Sequence, residues 1–558
     1  MIEPQANSAM PPPDEEFEVF KETRQRGLIR RLFTIYRQFL GLVFGGLAAY
    51  LRDLPKSKRR GLKYWTLRLI WIPTRPFVSR DLVKLPFPVQ LRKRLEALGP
   101  TFIKLGQILS LRVDVLPKEI TDELKNLLER LPSLPFERFL ELVSDQLKQP
   151  VDDLFSWVEP QPMGSASIGQ THRARTTEGD QVVLKLVKPG IRTTIKQDVI
   201  LLKILGSMLQ LFLSRYQPKR LAAEFGDYTL REVDLRNEAE NAETFAANFK
   251  NQPEIVFPDI YRQFSTQSLL VMEYLPGAQP NSALVQSLAK EEKDRIIDLG
   301  ASAIIQMLYQ DGFFHADLHP GNLLVLPGPK DGFIDLGMVG RFDEELRRTL
   351  LYYYYCLVMG DAENAARYLA SIAEAGRGGD RKGFRRDVEE ICRRWQRNSN
   401  FEAFSIAQLI MESVGRAAKY RMYLPVEMVL MVKAIVTFEA VGHMLDPTFD
   451  VAAVSRSYIN RIFLNQFSPL RIARETLRGA PELVDALVKS PMLVTEGLKV
   501  LELSTHRDPE TPFTGIRGTV FAGFCIVAGA IVAATNGPWP LWAVLFATGI
   551  TLALRRRD

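Results

Sequence analysis

Cysteine and histidine are the scarce residues, with 3 Cys and 5 His in 558 positions. Cys356, Cys392 and Cys525 are far apart and odd in number. They make neither a disulfide framework nor a metal cluster, which fits a reducing compartment. So few histidines also argue against a metalloenzyme. The chain lacks the many apolar runs of a polytopic transporter and the glycine period of collagen. It lacks the low hydrophobicity of a disordered chain as well: 46% of residues are hydrophobic and 25% charged, close to globular averages. The length corresponds to roughly three to four domains. No nucleic-acid recognition motif accompanies the basic residues, so no nucleic-acid partner is expected.

The net charge of +7 is unevenly spread. Residues 1–20 carry five acids and no base; residues 21–80 carry 15 Lys/Arg against Glu22 and Asp53. The remainder is near neutral. One acidic tail followed by one basic segment is a local electrostatic device. Residues 27–52 read as a helix whose apolar centre, Phe39–Leu51, reaches about 20 Å, short of a bilayer core of roughly 30 Å. Arg30, Arg31, Arg37 and Arg52 flank it, and Lys63, Tyr64, Trp65, Arg68 and Trp71 follow. Cations interleaved with Trp and Tyr suit an anionic lipid surface. A helix packed on the protein with a solvated basic face fits equally. No secretory signal is expected, because the apolar stretch comes late and no small-residue cleavage site follows.

Strand signals fall near 167–173, 181–187 and 268–274. Helical patterns occupy 85–160, 191–250, 288–312 and 342–510. Strands early and helices late indicate an α+β protein with a small mixed lobe and a large helical lobe. The expected organisation is an acidic disordered tail (1–20), a basic amphipathic or interfacial segment (21–84), a helical extension (85–160), a small lobe (161–280), a large lobe (281–450), a helical segment (451–515) and a transmembrane hairpin (516–558). The hairpin rests on two uncharged runs, Thr519–Thr535 and Trp539–Leu554, separated by Asn536-Gly537-Pro538. Arg517 and Arg555–Arg557 would put both ends on the cytoplasmic side. A buried helical hairpin is the alternative.

The most specific stretch is His315-Ala316-Asp317-Leu318-His319-Pro320-Gly321-Asn322, followed by Asp335-Leu336-Gly337. It has the form H-x-D-x-x-x-x-N, strand, turn, D-x-G. Phosphoryl transfer needs such a set: an Asp beside the attacking hydroxyl, an Asn on the same loop reaching a divalent cation, and a second Asp bridging metal and phosphates. Upstream, Val182-Val183-Leu184-Lys185 is a strand ending in a Lys suited to the α/β-phosphates. Before it, Gly164-Ser165-Ala166-Ser167-Ile168-Gly169-Gln170 stands where a glycine-rich loop belongs, with small residues that let backbone N–H groups approach phosphates. After it come Glu232, Asp234, Glu238 and Asn241. A Lys–Glu pair needs one of these carboxylates, and helix spacing favours Glu238. Lys104, Gln107, Ser110 and Asp114 form a polar stripe on one helix, either packed on a polar site or solvated.

In order, these motifs read K-x-G-Q, an Ala-rich loop ending S-I-G-Q, V-x-L-K, E-x-D with E-A-x-N, H-A-D-x-H-P-G-N and D-L-G. The combination, over about residues 95–345, resembles the UbiB (ABC1, ADCK, AarF) family of atypical kinases. The resemblance implies a protein-kinase-like two-lobed fold that binds ATP (or ADP) and Mg²⁺. It also implies a helical extension whose K-x-G-Q covers the active site. It assigns Lys185 to the phosphates, Asp317 to the catalytic loop, and Asn322 and Asp335 to the metal. Lys104 and Gln107 become the occluding motif facing Glu232 and Asp234. Gly164–Gly169, with Glu273 and Tyr274 at the end of the 268–274 strand, join the nucleotide-binding residues. Family members support isoprenoid quinone or prenyl-lipid synthesis. The implied partners are therefore membrane lipid, quinone precursors or prenyl lipids, and quinone-biosynthesis enzymes. The kinase-like part would lie in the cytoplasm or on a plastid-stroma-equivalent side. The first residue of the loop, Gly164, departs from the family's Ala. D-L-G leads through Met338–Phe342 into a helix, with no A-P-E segment to present a peptide.

Overall fold

The computed structural model describes residues 28–53, 80–112, 116–127, 133–166, 168–211, 216–376, 378–397, 406–449, 451–466, 543–544 and 546–548. The acidic tail, Lys63–Trp71, Asp114, Ser167 and nearly all of the expected hairpin lie outside these residues.

Helix α1 (Leu28–Asp53) leads into α2 (Phe87–Leu98), α3 (Pro100–Leu111), α4 (Lys118–Leu124) and α5 (Phe136–Leu147). Pro at the start of α2 and α3 suits the first helical turn, where no N–H partner is needed. A five-stranded antiparallel sheet follows: β1 (Phe155–Val158), β2 (Gly164–Ser165), β3 (Gly169–Thr176), β4 (Gln181–Val187) and, after β5 (Ile255–Val256), β6 (Leu269–Glu273). Its order is β1-β3-β4-β6, with β2 on β3. Both faces are covered. Val182, Leu184, Leu186, Leu269 and Val271 pack with Phe139 and Val143 of α5. Val183, Val187, Leu270 and Met272 pack with Phe102 and Ile103 of α3 and with the helices after β4. The α3 helix is thus part of the small lobe's core. Because strand side chains alternate, Lys185 shares a face with Val183 and Val187.

The structure corrects two sequence expectations, at 155–158 and between 342 and 466, and divides the helical 191–250 stretch. Residues 155–158 form a strand of the sheet, so the helical extension ends before 160; four residues are too few to show strand periodicity. The 191–250 stretch is three helices: α6 (Ile191–Gln210), α7 (Pro218–Glu232) and α8 (Leu235–Asn248). Glu232 therefore ends one helix and Asp234 caps the next, accepting from the Arg236 backbone N–H. Between 342 and 466, a two-residue strand pair at Glu374–Ala375 and Met422–Tyr423 interrupts the helices.

The large lobe begins with α9 (Lys290–Ile305), whose last turn widens into a π-helical turn at Gln306–Asp311. It continues through β7 (Phe313–His315), β8 (Leu323–Leu326), β9 (Lys330–Phe333) and β10 (Val339–Arg341). Then come α10 (Glu344–Met359), α11 (Ala362–Ile372), α12 (Arg381–Arg397), α13 (Ile406–Gly415), α14 (Val426–Leu445) and α15 (Val451–Gln466). Pairing of β7 with β10 and of β8 with β9 holds 315–322 beside 335–337. α14 is long and apolar enough to cross a membrane, yet Met428, Leu430, Met431 and Ala434 are buried in the large lobe's core. Its apolarity is that of a central core helix.

Candidate active site

Lys185 projects from β4 toward α8. Its Nζ donates to Glu238 Oε1 and Oε2 at 2.7 and 2.9 Å and to Asp335 Oδ1 at 2.7 Å. Burial opposes the charge on Lys185, but Asp335 and Glu238 outweigh it and hold the ammonium above its ordinary pKa. Burial, and after it the charge of Asp335, push Glu238 up to about 7 against the pull of Lys185. Asp335 takes a left-handed backbone with φ +56°. A non-glycine residue held there is backbone strain of the kind found at functional sites. Two residues on, a Cβ at Gly337 would lie 3.2 Å from Glu238 Oε2, a tight contact to which the carboxylate would have to yield by a few tenths of an ångström. Asn241 Nδ2 donates to Leu336 O at 2.9 Å and ties D-L-G to α8.

The residues of the 315–322 loop are set by His315. The Asp317 N–H donates to His315 Nδ1 at 3.1 Å, so the ring proton sits on Nε2, which donates to Ile334 O at 3.1 Å. Burial lowers the pKa of this histidine and favours that neutral form. Asn322 Nδ2 donates to Asp317 O at 3.0 Å, and Asn322 O accepts from Ile334 N at 3.0 Å. Asp317 itself pairs with Lys433 of α14, Nζ to Oδ1 at 2.5 Å. Burial works against its ionisation, but Lys433 and then Lys104 outweigh it and keep its pKa well below the usual range.

Lys104 of α3 is buried and pairs with Glu232 Oε1. Burial raises the Glu232 pKa against the pull of Lys104. Asp234 turns elsewhere. It takes Arg236 at 2.9 and 2.7 Å and Gln267 Nε2 at 2.7 Å, and these bonds, the Arg236 pair first, lower its pKa. The expectation that both E-x-D carboxylates face the K-x-G-Q helix is corrected to Glu232. The Gln107 side chain makes no hydrogen bond among the described residues; its carbonyl accepts from Ser110 Oγ at 2.6 Å.

The Gly164–Gly169 loop is a hairpin end, with Ala166 N donating to Gly169 O at 2.9 Å. Ile168 is buried beneath it. Buried Lys188 stitches the loop from below, donating to Ser165 Oγ and Ala166 O, both at 3.0 Å. Burial pushes that ammonium down to about 8. At the end of β6 the Glu273 N–H donates to Asp259 O and the Tyr274 N–H to Gln181 O. Neither N–H is therefore available to a nucleotide base. Sequence reasoning missed Lys433 and Lys188. Lys433 had one signal: it is the lone cation in the apolar run Val426–Phe438.

Among the described residues no group of three acidic, His or Cys side chains could enclose a metal ion. Asn322 and Asp335 offer two oxygen donors. Asn322 has its amide nitrogen fixed on Asp317 O, and Asp335 is half exposed. That is the sparse oxygen set Mg²⁺ takes when phosphates and water complete its shell. A cavity of about 670 Å³ lined by Lys118, Lys125, Met411 and Arg416 contains none of these residues.

Family profiles add the decisive observation. The ABC1 atypical kinase-like domain matches residues 126–369 and the UbiB helical domain matches 388–450. The chain belongs to the UbiB/ABC1 family. A "Probable protein kinase UbiB" of Pseudomonas aeruginosa is 27% identical over 550 residues, covering 95% of this chain and 99% of its own. One of Pseudomonas putida is 28% identical with the same coverage. The solved Rv3197–erythromycin complex from Mycobacterium tuberculosis is 23% identical, with TM-score 0.45, covering 63% of this chain and 90% of that one. The UbiB/ABC1 assignment makes the two-lobed architecture kinase-like. It also places Lys433 within the UbiB helical domain, outside the ABC1 match.

Proposed function

We infer that this UbiB/ABC1 protein is an atypical kinase or ATPase working at a membrane surface in support of isoprenoid quinone or prenyl-lipid synthesis. Lys185 would meet the phosphates, Asn322 and Asp335 would hold Mg²⁺, and Asp317 would face the acceptor oxygen. Mg²⁺ would supply charge neutralisation on the phosphates. One observation carries the reading of the acceptor: the Lys104–Glu232 pair ties α3 to the end of α7, beside the carboxylates that Lys185 engages. Both Asp317 and Asp335 act electrostatically on Glu232. A helix fixed there supports a small or lipid-presented acceptor over a peptide.

Membrane association is supported by α1. Arg31 is drawn onto the protein by Asp198, at 2.6 and 2.7 Å. The other face exposes Leu32, Phe33, Tyr36, Val43 and Tyr50, beside exposed Arg30, Arg37 and Arg52. Such a face suits an anionic bilayer interface. The sequence-based hairpin at 516–558 would add an anchor with both ends cytoplasmic.

The test is ATP turnover by the purified full chain, with and without anionic liposomes and quinone-precursor analogues. Turnover stimulated by lipid or precursor is expected. Rapid phosphorylation of generic peptides would instead favour a protein kinase acting in trans. Mg·ATP binding with no turnover under any condition would leave a nucleotide-binding scaffold. Carbonate-washed membranes that retain a chain truncated after Pro512 would show that the hairpin is not the sole anchor.

A further inference from the structure

The catalytic loop carries no ammonium or guanidinium of its own. Between Asp317 and Asn322 stand only Leu318, His319, Pro320 and Gly321. Exposed His319 is engaged locally, its Nδ1 accepting from Gly321 N at 3.1 Å. A phosphoryl group passing Asp317 concentrates negative charge there, and the loop offers nothing to meet it. The cation comes from elsewhere in the chain. Lys433 sits mid-way along α14, between Met431, Val432, Ala434 and Ile435, all buried. A lysine in that setting is costly unless its head reaches a charge partner. Its head reaches Asp317 Oδ1, and about a quarter of the side chain stays open to solvent. The ammonium therefore lies against the Asp317 carboxylate, on a side chain that solvent partly reaches.

We propose that Lys433 is a catalytic residue whose ammonium binds the equatorial oxygens of the transferring phosphoryl group while holding Asp317 in place. The inference rests on the nucleotide-dependent phosphoryl chemistry argued above. In the step, the acceptor oxygen bonds to the γ-phosphorus as the bond from that phosphorus to the bridging oxygen breaks. ADP leaves with that electron pair. The acceptor's proton passes to the Asp317 carboxylate as the new bond forms, and from there to solvent. Lys433 neither gives nor takes a proton. It is a fixed positive charge aimed at the charge of the transition state, the arrangement in which one donor is worth about 10²–10³ in rate.

The experiment separates this role from a clamp on Asp317 and does not depend on turnover. Affinity of the full-length protein for Mg·ADP is measured with and without aluminium fluoride, which mimics the planar phosphoryl group. Fluoride should tighten binding to the wild type. Lys433→Met should keep its Mg·ADP affinity within about threefold and lose the fluoride-dependent gain, while Lys433→Arg keeps most of it. Lys433→Gln, which can still donate to Asp317 but carries no charge, should lose the gain as well and serves if the Met variant does not fold. Full fluoride gain in the Met or Gln variant overturns the proposal. So does an equal weakening of the ADP and ADP–fluoride complexes, the mark of a purely structural clamp. A wild type that binds Mg·ADP but gains nothing from fluoride also overturns it. If the wild type binds no Mg·ADP at all, the nucleotide reading itself has failed and takes the role of Lys433 with it.

Discussion

Lys104→Met should loosen α3 in a way that depends on pH and on Glu232. The side chains of Lys104 and Glu232 are only 10% and 21% exposed, and Glu232 Oε2 is buried without a hydrogen-bond partner among the described residues. Removing one member of a fully buried pair costs about 3–5 kcal/mol. Partial exposure here lowers the expectation to about 2–3 kcal/mol. Methionine keeps the apolar stem, so lost packing adds little. The penalty has a ceiling, because the stranded carboxyl can bind a proton. Burial already lifts the Glu232 pKa with Lys104 present, and loss of the cation lifts it further. The folded variant then holds a proton that the unfolded chain gives up near its ordinary value of about 4.3. Its stability therefore falls as pH rises above that value. The penalty is small near pH 5 and larger near pH 8. Hydrogen exchange of the α3 amides is the assay, since it reads local opening. About 2–3 kcal/mol corresponds to exchange faster by roughly 30- to 150-fold at the higher pH. Lys104→Met/Glu232→Gln should recover much of the loss, giving a coupling of about 1–3 kcal/mol. Exchange within threefold of wild type at both pH values, or a strictly additive double variant, would refute the buried-pair argument.

Asp335→Asn should abolish Mg²⁺-dependent stabilisation by nucleotide and leave the fold intact; a thermal-shift titration with an unchanged ATP/Mg²⁺ response would contradict the metal assignment. Asp331 is buried, its carboxyl is held well above the ordinary carboxylate pKa by burial, and its side chain makes no hydrogen bond among the described residues. The folded state keeps a proton there that the unfolded state loses, so wild-type stability should decline relative to Asp331→Asn as pH rises from about 5 to 8; parallel urea-unfolding profiles of the two would exclude this. At Gly106 a Cβ would collide with Leu127 Cδ1 and lie 2.9 Å from Leu95 Cδ1. Gly106→Ala should therefore destabilise by about 1–3 kcal/mol through overpacking, against a helix-propensity gain of about 1 kcal/mol, and a higher melting temperature in the variant would count against close packing as the reason for this glycine.

The parts of the site that were legible in the sequence are those whose spacing is local. Asp317, Asn322 and Asp335 lie within one loop–hairpin–turn unit, and Lys185 ends an alternating strand. The Lys185–Glu238 pair followed from helical spacing because Leu235–Asn248 is a single helix. Asp234 was misjudged because the break at Val233-Asp234 turns its carboxylate into a helix cap, and a two-residue break leaves no periodic signature. Lys433 lies 116 residues beyond Asp317, and no local pattern says which loop a core helix faces. The strand ending at Glu273 was correctly placed, with Tyr274 one residue past it. Only the tertiary hydrogen bonds to Asp259 and Gln181 reveal that its N–H groups are already engaged.

On the nucleotide reading proposed above, the ion pairs at the site favour entry of metal and nucleotide together. Lys104, Lys185 and Lys433 come from the extension, the sheet and the helical domain. They meet Glu232, Glu238, Asp335 and Asp317. Each of these three ammonium groups is already engaged by at least one carboxylate in a partly buried space. A polyphosphate arriving alone would have to take a lysine from its carboxylate partner where screening is weak. A divalent cation arriving alone would find Asp335 bound to Lys185 and no group of three ligands among the described residues. With both present, Asp335 would be the metal's ligand and Lys185 would meet the phosphates while keeping Glu238. These ion pairs keep each charged side chain partnered, so exchange of partners would replace the desolvation that a bare charge would need.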